Sequence, residues 1–286
     1  TFGPGTGSGT IYESGLFRRI AYPVISLIVK HCDAYIAHGS RAKEYLISLG
    51  AIPEKIFIAP NCTDMEFFKE RSLKLKPQKQ RFKSEKGMEQ EKLILYVGQL
   101  IERKGVKYLI EAYKDLKRER DDIGLVIIGD GPQKTELTSY CEREQIKAVH
   151  FLGFIQNKEL PLYYSIANVF VLPSIRDSFA MQLSEAMACG LPVIHTRKGG
   201  ASADLIKEGI NGYVVDDRNA SQLYEALKRI LCDSETEERM GKESLRIIEE
   251  ESGLERMVHG FISAIDYATK DSFKNPGEPL ARLRRL

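Results

Sequence analysis

The chain of 286 residues is long enough for one large domain or two modest ones, each with its own hydrophobic core. Its content of 43% hydrophobic and 29% charged residues excludes the disordered and fibrous classes. The formal net charge of +2 gives no basis for expecting a nucleic-acid partner.

The first part of the chain has the pattern of an α/β domain. We predict a helix over 14–30, a buried strand over 34–37, a second helix over 40–50 and a second strand over 55–59. Strand, helix and strand in this order indicate a parallel arrangement. We therefore assign residues 1–68 to one α/β domain.

The pattern breaks over residues 69–92. This segment carries nine Lys and Arg against four Glu, a local net charge of +5, and has few apolar residues. Charge runs of this kind are typical of solvated linkers. We therefore predict a charged linker over 69–92 and a domain boundary there.

A regular alternation of strands and helices follows, and we assign residues 93–251 to a second domain. The predicted strands are 93–97, 125–128, 149–152, 169–172, 192–195 and 214–215. Repeated strand–loop–helix units of this length predict a doubly wound, Rossmann-like parallel sheet. The loops after its strands should share one rim, where such sheets bind ligands. Residues 252–286 are expected to form a C-terminal helix and a basic tail.

The loop after the first strand of this sheet places Arg103 and Lys104 directly before Gly105. Two cations at the mouth of a crevice can neutralise a diphosphate without a metal ion. A solvated basic turn would have the same sequence, so both interpretations stay open here.

The loop after Leu172 carries two carboxylates. Asp177 comes just before a predicted helix N-terminus, where backbone N–H groups can bind phosphate oxygens. Glu185 lies eight residues further on, in a helix rich in small apolar residues. A carboxylate in such a helix is expected to have a hydroxyl or N–H partner. The alternatives are that Asp177 is only an N-cap and that Glu185 is exposed.

Other patterns point to a ligand less strongly or exclude one. Gly199 and Gly200 before a helix permit close approach of the backbone to a ligand, as an ordinary turn also would. No dinucleotide-binding fingerprint and no histidine spacing for a metal occur. The five cysteines are widely spaced, which indicates reduced thiols in the cytoplasm rather than disulfides or a zinc site.

Taken together, these motifs resemble glycosyltransferase family 4, most strongly between Tyr96 and Val215. The matching stretches are 96–105, 129–132, 151–153, 172–174, 177–194, 199–200 and 211–212. The resemblance implies the two-domain GT-B fold, with a nucleoside-diphosphate sugar as donor and no cofactor or catalytic metal.

The resemblance also implies the role of each site residue. Arg103 and Lys104 would hold the donor diphosphate together with backbone N–H groups near Ala180 and Met181. Glu185 would accept hydrogen bonds from the ribose hydroxyls. Fixed cations and backbone dipoles of this kind stabilise the charge that builds on a leaving diphosphate.

Asp177 would stand at the first position of the family's Glu-x7-Glu motif and contact the transferred sugar. Leu152 and Phe154 would belong to the slot for the base. Asp177 and Lys104 are thus the expected catalytic residues, and the sugar would be transferred with retention. The remaining residues of the expected donor site are Gly131, Phe179, Gly199 and Gly200.

The sequence departs from the family pattern at three positions. Asp177 is one methylene shorter than the usual Glu, Gln99 stands where many members carry an Arg, and Ala180 replaces a common Gly. Phosphate binding should therefore depend more on Lys104. In addition, 1–68 resembles only the later part of the family's first domain, so we expect its beginning to be missing.

The leading hypothesis is a retaining glycosyltransferase that moves a sugar from a nucleoside-diphosphate sugar to a hydroxyl of a glycan, a lipid-linked acceptor or a small molecule. One alternative is a catalytically silent nucleotide-sugar-binding module or fragment. Another is a sugar-nucleotide epimerase of related fold, although the spacing of Asp177 and Glu185 favours the transferase.

The basic residues suggest a further hypothesis about location. Segment 69–92 and the tail arginines Arg282, Arg284 and Arg285 could contact anionic lipid at the inner face of a membrane. A solvated linker and tail explain the same residues, so this alternative stays open.

Overall fold

The computed structural model describes residues 15–274, with side chains described from 21 to 269. The described residues form two compact units. The smaller unit takes in the residues up to Asn61 and those from Ser252 onward, and the larger unit runs from Cys62 to Glu251.

Within the described residues there are eight strands. They are β1 (Tyr35–Ala37), β2 (Ile56–Ile58), β3 (Lys92–Val97), β4 (Ile123–Ile128), β5 (Val149–Gly153), β6 (Val169–Leu172), β7 (Val193–Thr196) and β8 (Gly212–Val215). The α-helices of the same residues are α1 (Gly15–Lys30), α2 (Ser40–Ser48), α3 (Met65–Leu75), α4 (Lys79–Glu85), α5 (Val106–Glu119), α6 (Lys134–Arg143), α7 (Leu160–Ile166), α8 (Met181–Ala188), α9 (Ser202–Leu205), α10 (Ala220–Ile230), α11 (Ser234–Ser252) and α12 (Leu254–Lys274).

The larger unit is built on a six-stranded parallel sheet in the order β5-β4-β3-β6-β7-β8. Numbered along the chain within this sheet, the order is 3-2-1-4-5-6, as in dinucleotide-binding folds. The direction of winding reverses between β3 and β6. In such sheets the ligand crevice lies beyond the carboxyl ends of the two strands at the reversal.

The strands near the centre of this sheet are buried on both faces, as parallel sheets require. Every residue of β3, β4 and β6 is buried. The helices cover the sheet through one apolar side, as in α5, where Leu109, Tyr113 and Leu116 are fully buried. The predicted strands agree with the observed ones to within two residues at each end.

The predicted linker over 69–92 differs from the structure. Most of this segment lies in α3, a 3-10 turn at Lys76–Gln78 and α4, and it belongs to the larger unit, whose boundary is at Cys62. Helix α3 packs against α7 and α8, and α4 packs against α7. The charge run is therefore part of a packed layer and not a solvated connection.

Two lysines show why the charge of this segment led to the wrong prediction of a solvated linker. Lys83 is 1% exposed, and its ammonium donates to the backbone oxygens of Gln90 at 2.9 Å and Glu91 at 2.7 Å. Lys92 is also buried and pairs with Glu237. The long apolar stems of lysines can pack inside while the ammonium finds a partner, so a high charge count does not exclude burial.

The smaller unit contains the parallel pair β1 and β2, with Tyr35 opposite Ile56. Helix α12 packs against both strands. The small apolar core of this unit includes Val29, Tyr35, Leu49 and Ile56. No helix among residues 15–274 combines the length and the apolar character needed to cross a bilayer. The tail arginines of the lipid hypothesis lie outside the described residues.

Candidate functional site

The loops after β3 and β6 meet at the reversal point of the sheet. Gly105 has φ +65°, and a Cβ added to it would lie 2.2 Å from the backbone oxygen of Pro173. The amide of Ile175 donates to the oxygen of Arg103 at 2.8 Å. Only glycine permits this approach, and the two loops therefore form one wall of the crevice.

An ion pair between Lys104 and Asp177 lies across these loops. Lys104 is 7% exposed and Asp177 is 9% exposed. The Ser174 hydroxyl donates to the same carboxylate oxygen at 3.3 Å. Burying two opposite charges is unfavourable unless they are paired and further hydrogen-bonded, as they are here. The pair places a fixed cation and a fixed carboxylate at the position that parallel sheets use for ligands.

The Asp177 backbone is held from a third loop. Asp177 forms an isolated parallel bridge with Gly199, and the backbone amide of Gly200 donates to the backbone oxygen of Asp177 at 2.9 Å. A Cβ on Gly199 would fall 1.8 Å from Nε2 of the buried His195, and one on Gly200 would fall 1.8 Å from the oxygen of Ser178. Packing between the loops after β6 and β7 therefore requires Gly200, and Gly199 packs against the ring of His195 at the end of β7.

Asp177 does not occupy the position next to the helix that its sequence predicted. Helix α8 begins at Met181, with Ala180 in the cap position, and no side chain within the described residues caps it. The carboxylate of Asp177 turns to Lys104 instead, because a buried ammonium is a stronger partner than a backbone amide. The first N–H groups of α8 are thus left available to an anion.

Glu185 lies inside α8 and is 7% exposed. The hydroxyl of Tyr164 donates to its Oε2 at 2.8 Å, so the predicted hydroxyl partner is confirmed. Burial raises the pKa of the Glu185 carboxyl above its ordinary value, and the hydrogen bond from Tyr164 opposes that rise. A buried carboxylate in this position is a candidate for a functional role.

This raised pKa predicts that Glu185→Gln is more stable than the wild type at pH 7. Below the ordinary carboxyl pKa, Glu185 is protonated in both the folded and the unfolded chain and has no effect. As the pH rises above the ordinary carboxyl pKa, the unfolded chain loses this proton before the folded chain does. The wild type therefore loses stability with rising pH until the pH passes the raised pKa of the folded state. We expect Tm to increase by roughly 2–4 °C at pH 7, the shift that about 1 kcal/mol produces in a domain of this size.

Thermal unfolding of the two proteins followed by circular dichroism measures this difference. The gain should shrink as the pH is lowered to about 4, where the wild-type carboxyl is neutral as well. An equal or lower Tm for Glu185→Gln at pH 7 would contradict the argument.

The remaining predicted residues lie around the same rim. Gly131, in the loop after β4, packs against the backbone of Leu100, whose oxygen would lie 2.4 Å from an added Cβ. Leu152 is half-buried near the end of β5, whereas the Phe154 side chain that follows it is 77% exposed. An aromatic ring this exposed offers a free face for stacking.

The structure brings some predicted residues together and separates others. Lys104 and Asp177 are in contact, whereas Phe154 follows the edge strand β5, which is separated from β3 by β4. Arg103 directly precedes Lys104 and Phe179 follows Asp177 by two residues, and both are half-buried. Within the described residues, no group of three or more His, Cys, Asp and Glu side chains is arranged to hold a metal.

The sequence analysis missed two polar partners, Tyr164 and Ser174. Tyr164 lies in a short apolar helix and has no local signal that separates it from a core residue. Ser174 stands three residues before Asp177, which is a spacing that could have suggested a contact. Both act through tertiary contacts with the carboxylates.

Comparison with known proteins identifies the family of this chain. The profile of the family described as glycosyl transferases group 1 matches residues 77–246. Spore coat protein SA of Bacillus subtilis is 34% identical over 197 residues, which cover 66% of this chain and 52% of that protein. Alpha-D-kanosaminyltransferase of Streptomyces kanamyceticus is 26% identical over 237 residues, covering 81% of this chain and 60% of the other. The chain spans about half the length of the curated relatives it matches.

Among solved structures, Anabaena HepE in complex with UDP superposes with a TM-score of 0.74 and 18% identity, over 85% of this chain and 66% of that chain. HepE has also been crystallised with UDP-glucose. At this identity the likeness shows the fold alone. It confirms the predicted α/β architecture of GT-B type.

Proposed function

We propose, since this chain belongs to the family of glycosyl transferases group 1, that it binds a nucleoside-diphosphate sugar and provides the donor side of a retaining glycosyl transfer. The observation that carries the proposal is the buried Lys104–Asp177 pair at the reversal point of the sheet, beside the uncapped start of α8. We also propose that the chain is of the family 4 type. The UDP and UDP-glucose complexes of HepE support a donor of this class.

In this proposal the donor diphosphate lies against Lys104, Arg103 and the first N–H groups of α8. The ammonium is already fixed by the fold, so little reorganisation is needed when charge builds up on the leaving diphosphate. Such preorganised charges are worth more in a crevice than in water, because fewer solvent dipoles oppose them. The first N–H groups of α8, at Met181 and nearby, add partial positive charge on the same side.

The other donor groups follow from the arrangement of the rim. Glu185 accepts from the ribose hydroxyls, and Phe154 with Leu152 contacts the base. Asp177 meets the transferred sugar, and its side chain is shared between that role and holding Lys104. Since Asp177 is shorter than the family's usual Glu, we infer that the sugar is bound closer to the loop after β6.

The proposal also covers the acceptor of the transferred sugar and the place in the cell where the transfer occurs. We propose an acceptor hydroxyl on a glycan, a lipid-linked molecule or a small molecule, used on the cytoplasmic side, with membrane contact through the basic tail. Segment 69–92 offers less free charge for such contact than its composition indicated, because Lys83 and Lys92 are buried. Co-sedimentation of the chain with anionic vesicles at low salt tests the membrane contact.

Calorimetric titration with UDP, GDP and ADP, and then with the corresponding sugar nucleotides, tests the donor site without added metal. Selective binding that is lost in Glu185→Ala would support it and identify the base. If none of them binds the wild-type chain, the proposal fails for this chain. Binding without transfer would favour a silent module, and conversion of the donor without acceptor would favour an epimerase.

Phe154→Ala is expected to weaken binding of the preferred nucleoside diphosphate about 5- to 30-fold, as loss of one to two kcal/mol of stacking gives. Its side chain is 77% exposed, so the free energy of unfolding should stay within about 0.5 kcal/mol of the wild type. Titration and denaturant unfolding measure the two quantities. The matched control is Leu254→Ala in the smaller unit, another exposed apolar side chain, which should leave affinity unchanged. Unaltered affinity in Phe154→Ala would remove the ring from the base slot.

A further inference from the structure

Tyr164 is a buried tyrosine whose hydroxyl has a defined acceptor. It is fully buried in α7, and its hydroxyl donates to Oε2 of Glu185 at 2.8 Å. Its ring makes an edge contact with Phe68, with centroids 5.8 Å apart, and a tilted contact with Phe170 at 5.9 Å. The hydroxyl therefore cannot swing away without disturbing packed aromatic rings.

The contacts of Tyr164 come from three different elements. Phe68 belongs to α3, Phe170 to β6 and Glu185 to α8. Phe68 is fully buried, and the thiol of Cys189, just after α8, donates to its backbone oxygen at 3.5 Å. Helix α3, which continues into the segment that composition predicted to be a linker, thus supplies part of the packing around Tyr164.

The hydrogen bond from Tyr164 occupies one side of the Glu185 carboxylate. A carboxylate has two oxygens and about four acceptor positions, so Oε1 remains able to accept from a ligand. A site that is built to hydrogen-bond a substrate hydroxyl rejects an analogue that lacks it, because a buried acceptor is then left unsatisfied. The strength of that rejection depends on how firmly the acceptor is held.

We propose that Tyr164 is a positioning residue that holds the Glu185 carboxylate so that the site selects a ribose over a deoxyribose in the bound nucleotide. This inference rests on the proposed donor-binding function. Tyr164 itself touches no ligand in this account. It acts by restricting the rotamers of Glu185, which saves the ordering entropy that a free carboxylate would lose on binding.

The test compares UDP with 2′-deoxy-UDP and 3′-deoxy-UDP by calorimetric titration, or the matching guanosine or adenosine set if that base binds. The wild type should prefer the ribonucleotide. In Tyr164→Phe that preference should fall about five- to tenfold, because only ribonucleotide affinity depends on the held carboxylate. Affinity for the deoxy analogue that lacks the contacted hydroxyl should stay as in the wild type.

Tyr113→Phe is the matched control. Tyr113 is equally buried in the same unit, and its hydroxyl donates to the backbone oxygens of Ile123, Lys147 and Ala148 rather than to Glu185. The Tyr113→Phe variant should be less stable than the wild type and should show the same preference for ribose.

The outcomes separate this inference from the function it rests on. If the wild type binds no nucleoside diphosphate, the proposed function and this inference both fail. If it binds with a preference for ribose that Tyr164→Phe leaves intact, or binds without any preference, only the inference is overturned. Should Tyr164→Phe not fold, Phe68→Leu keeps the hydroxyl but loosens the ring, and an unchanged preference there overturns the inference equally.

Discussion

Lys104→Ala is expected to weaken binding of a nucleoside diphosphate by about 10- to 150-fold, which corresponds to loss of 1.5–3 kcal/mol for a charged hydrogen bond. The reason is that Lys104 supplies the fixed cation at the reversal point of the sheet. Gln99 stands where the family often has a second cation, so Arg103 is left to compensate. Calorimetric titration of the variant measures the loss.

The same substitution should also lower the free energy of unfolding, by about 3–5 kcal/mol, because it leaves the Asp177 carboxylate buried without its cation. Loss of binding could then be a consequence of a disturbed fold. The double variant Lys104→Ala with Asp177→Asn separates the two effects. It removes the uncompensated charge and should recover most of the stability while nucleotide binding stays weak.

Two results would contradict this account of Lys104. Wild-type affinity in the single variant would exclude Lys104 from the donor site. Wild-type affinity in the double variant, after weak binding in the single one, would show that Lys104 acts only by neutralising Asp177. Denaturant unfolding of all three proteins supplies the stabilities needed for the comparison.

Gly200→Ala should be strongly destabilising, by about 3–5 kcal/mol, and should reduce nucleotide binding at the same time. The added Cβ would lie 1.8 Å from the backbone oxygen of Ser178, so the loops after β6 and β7 would have to separate. That separation removes the hydrogen bond from the Gly200 amide to the backbone oxygen of Asp177. The carboxylate that pairs with Lys104 would lose its support.

Gly209→Ala is the control for this prediction. Gly209 has φ +72°, and an added Cβ there would have no neighbour within 4 Å, so only the backbone strain of about 1–2 kcal/mol remains. Denaturant unfolding should rank Gly200→Ala well below Gly209→Ala, and titration should find weakened binding only in the former. Equal stabilities of the two variants would show that the loop adapts to the extra methyl group.

Several features of the larger unit could be predicted from local pattern. The apolar runs over 93–97 and 125–128 match β3 and β4 closely, because strands buried on both faces must be continuously apolar. Parallel crossovers then place the loops after Val97 and Leu172 at one edge. The rim of the candidate site therefore followed from the sequence without any knowledge of contacts.

The charged segment 69–92 shows where local pattern was insufficient. Its composition is that of a solvated linker, yet Lys83 and Met88 within it are buried, and so is Phe68 directly before it. Composition counts charges but does not record whether a long side chain lies along an apolar surface or extends into water. The unit boundary consequently lies at Cys62 and not after residue 68.

The sequence by itself determined the strands, their order along the chain, the parallel sheet and the loops that form the rim, because these depend on the hydrophobic period and on the handedness of crossovers. Only the tertiary structure decided which side chains pair across that rim. Lys104 and Asp177 are 73 positions apart, and Tyr164 and Glu185 are 21 apart. Such contacts depend on the packing of whole elements, and no local propensity encodes them.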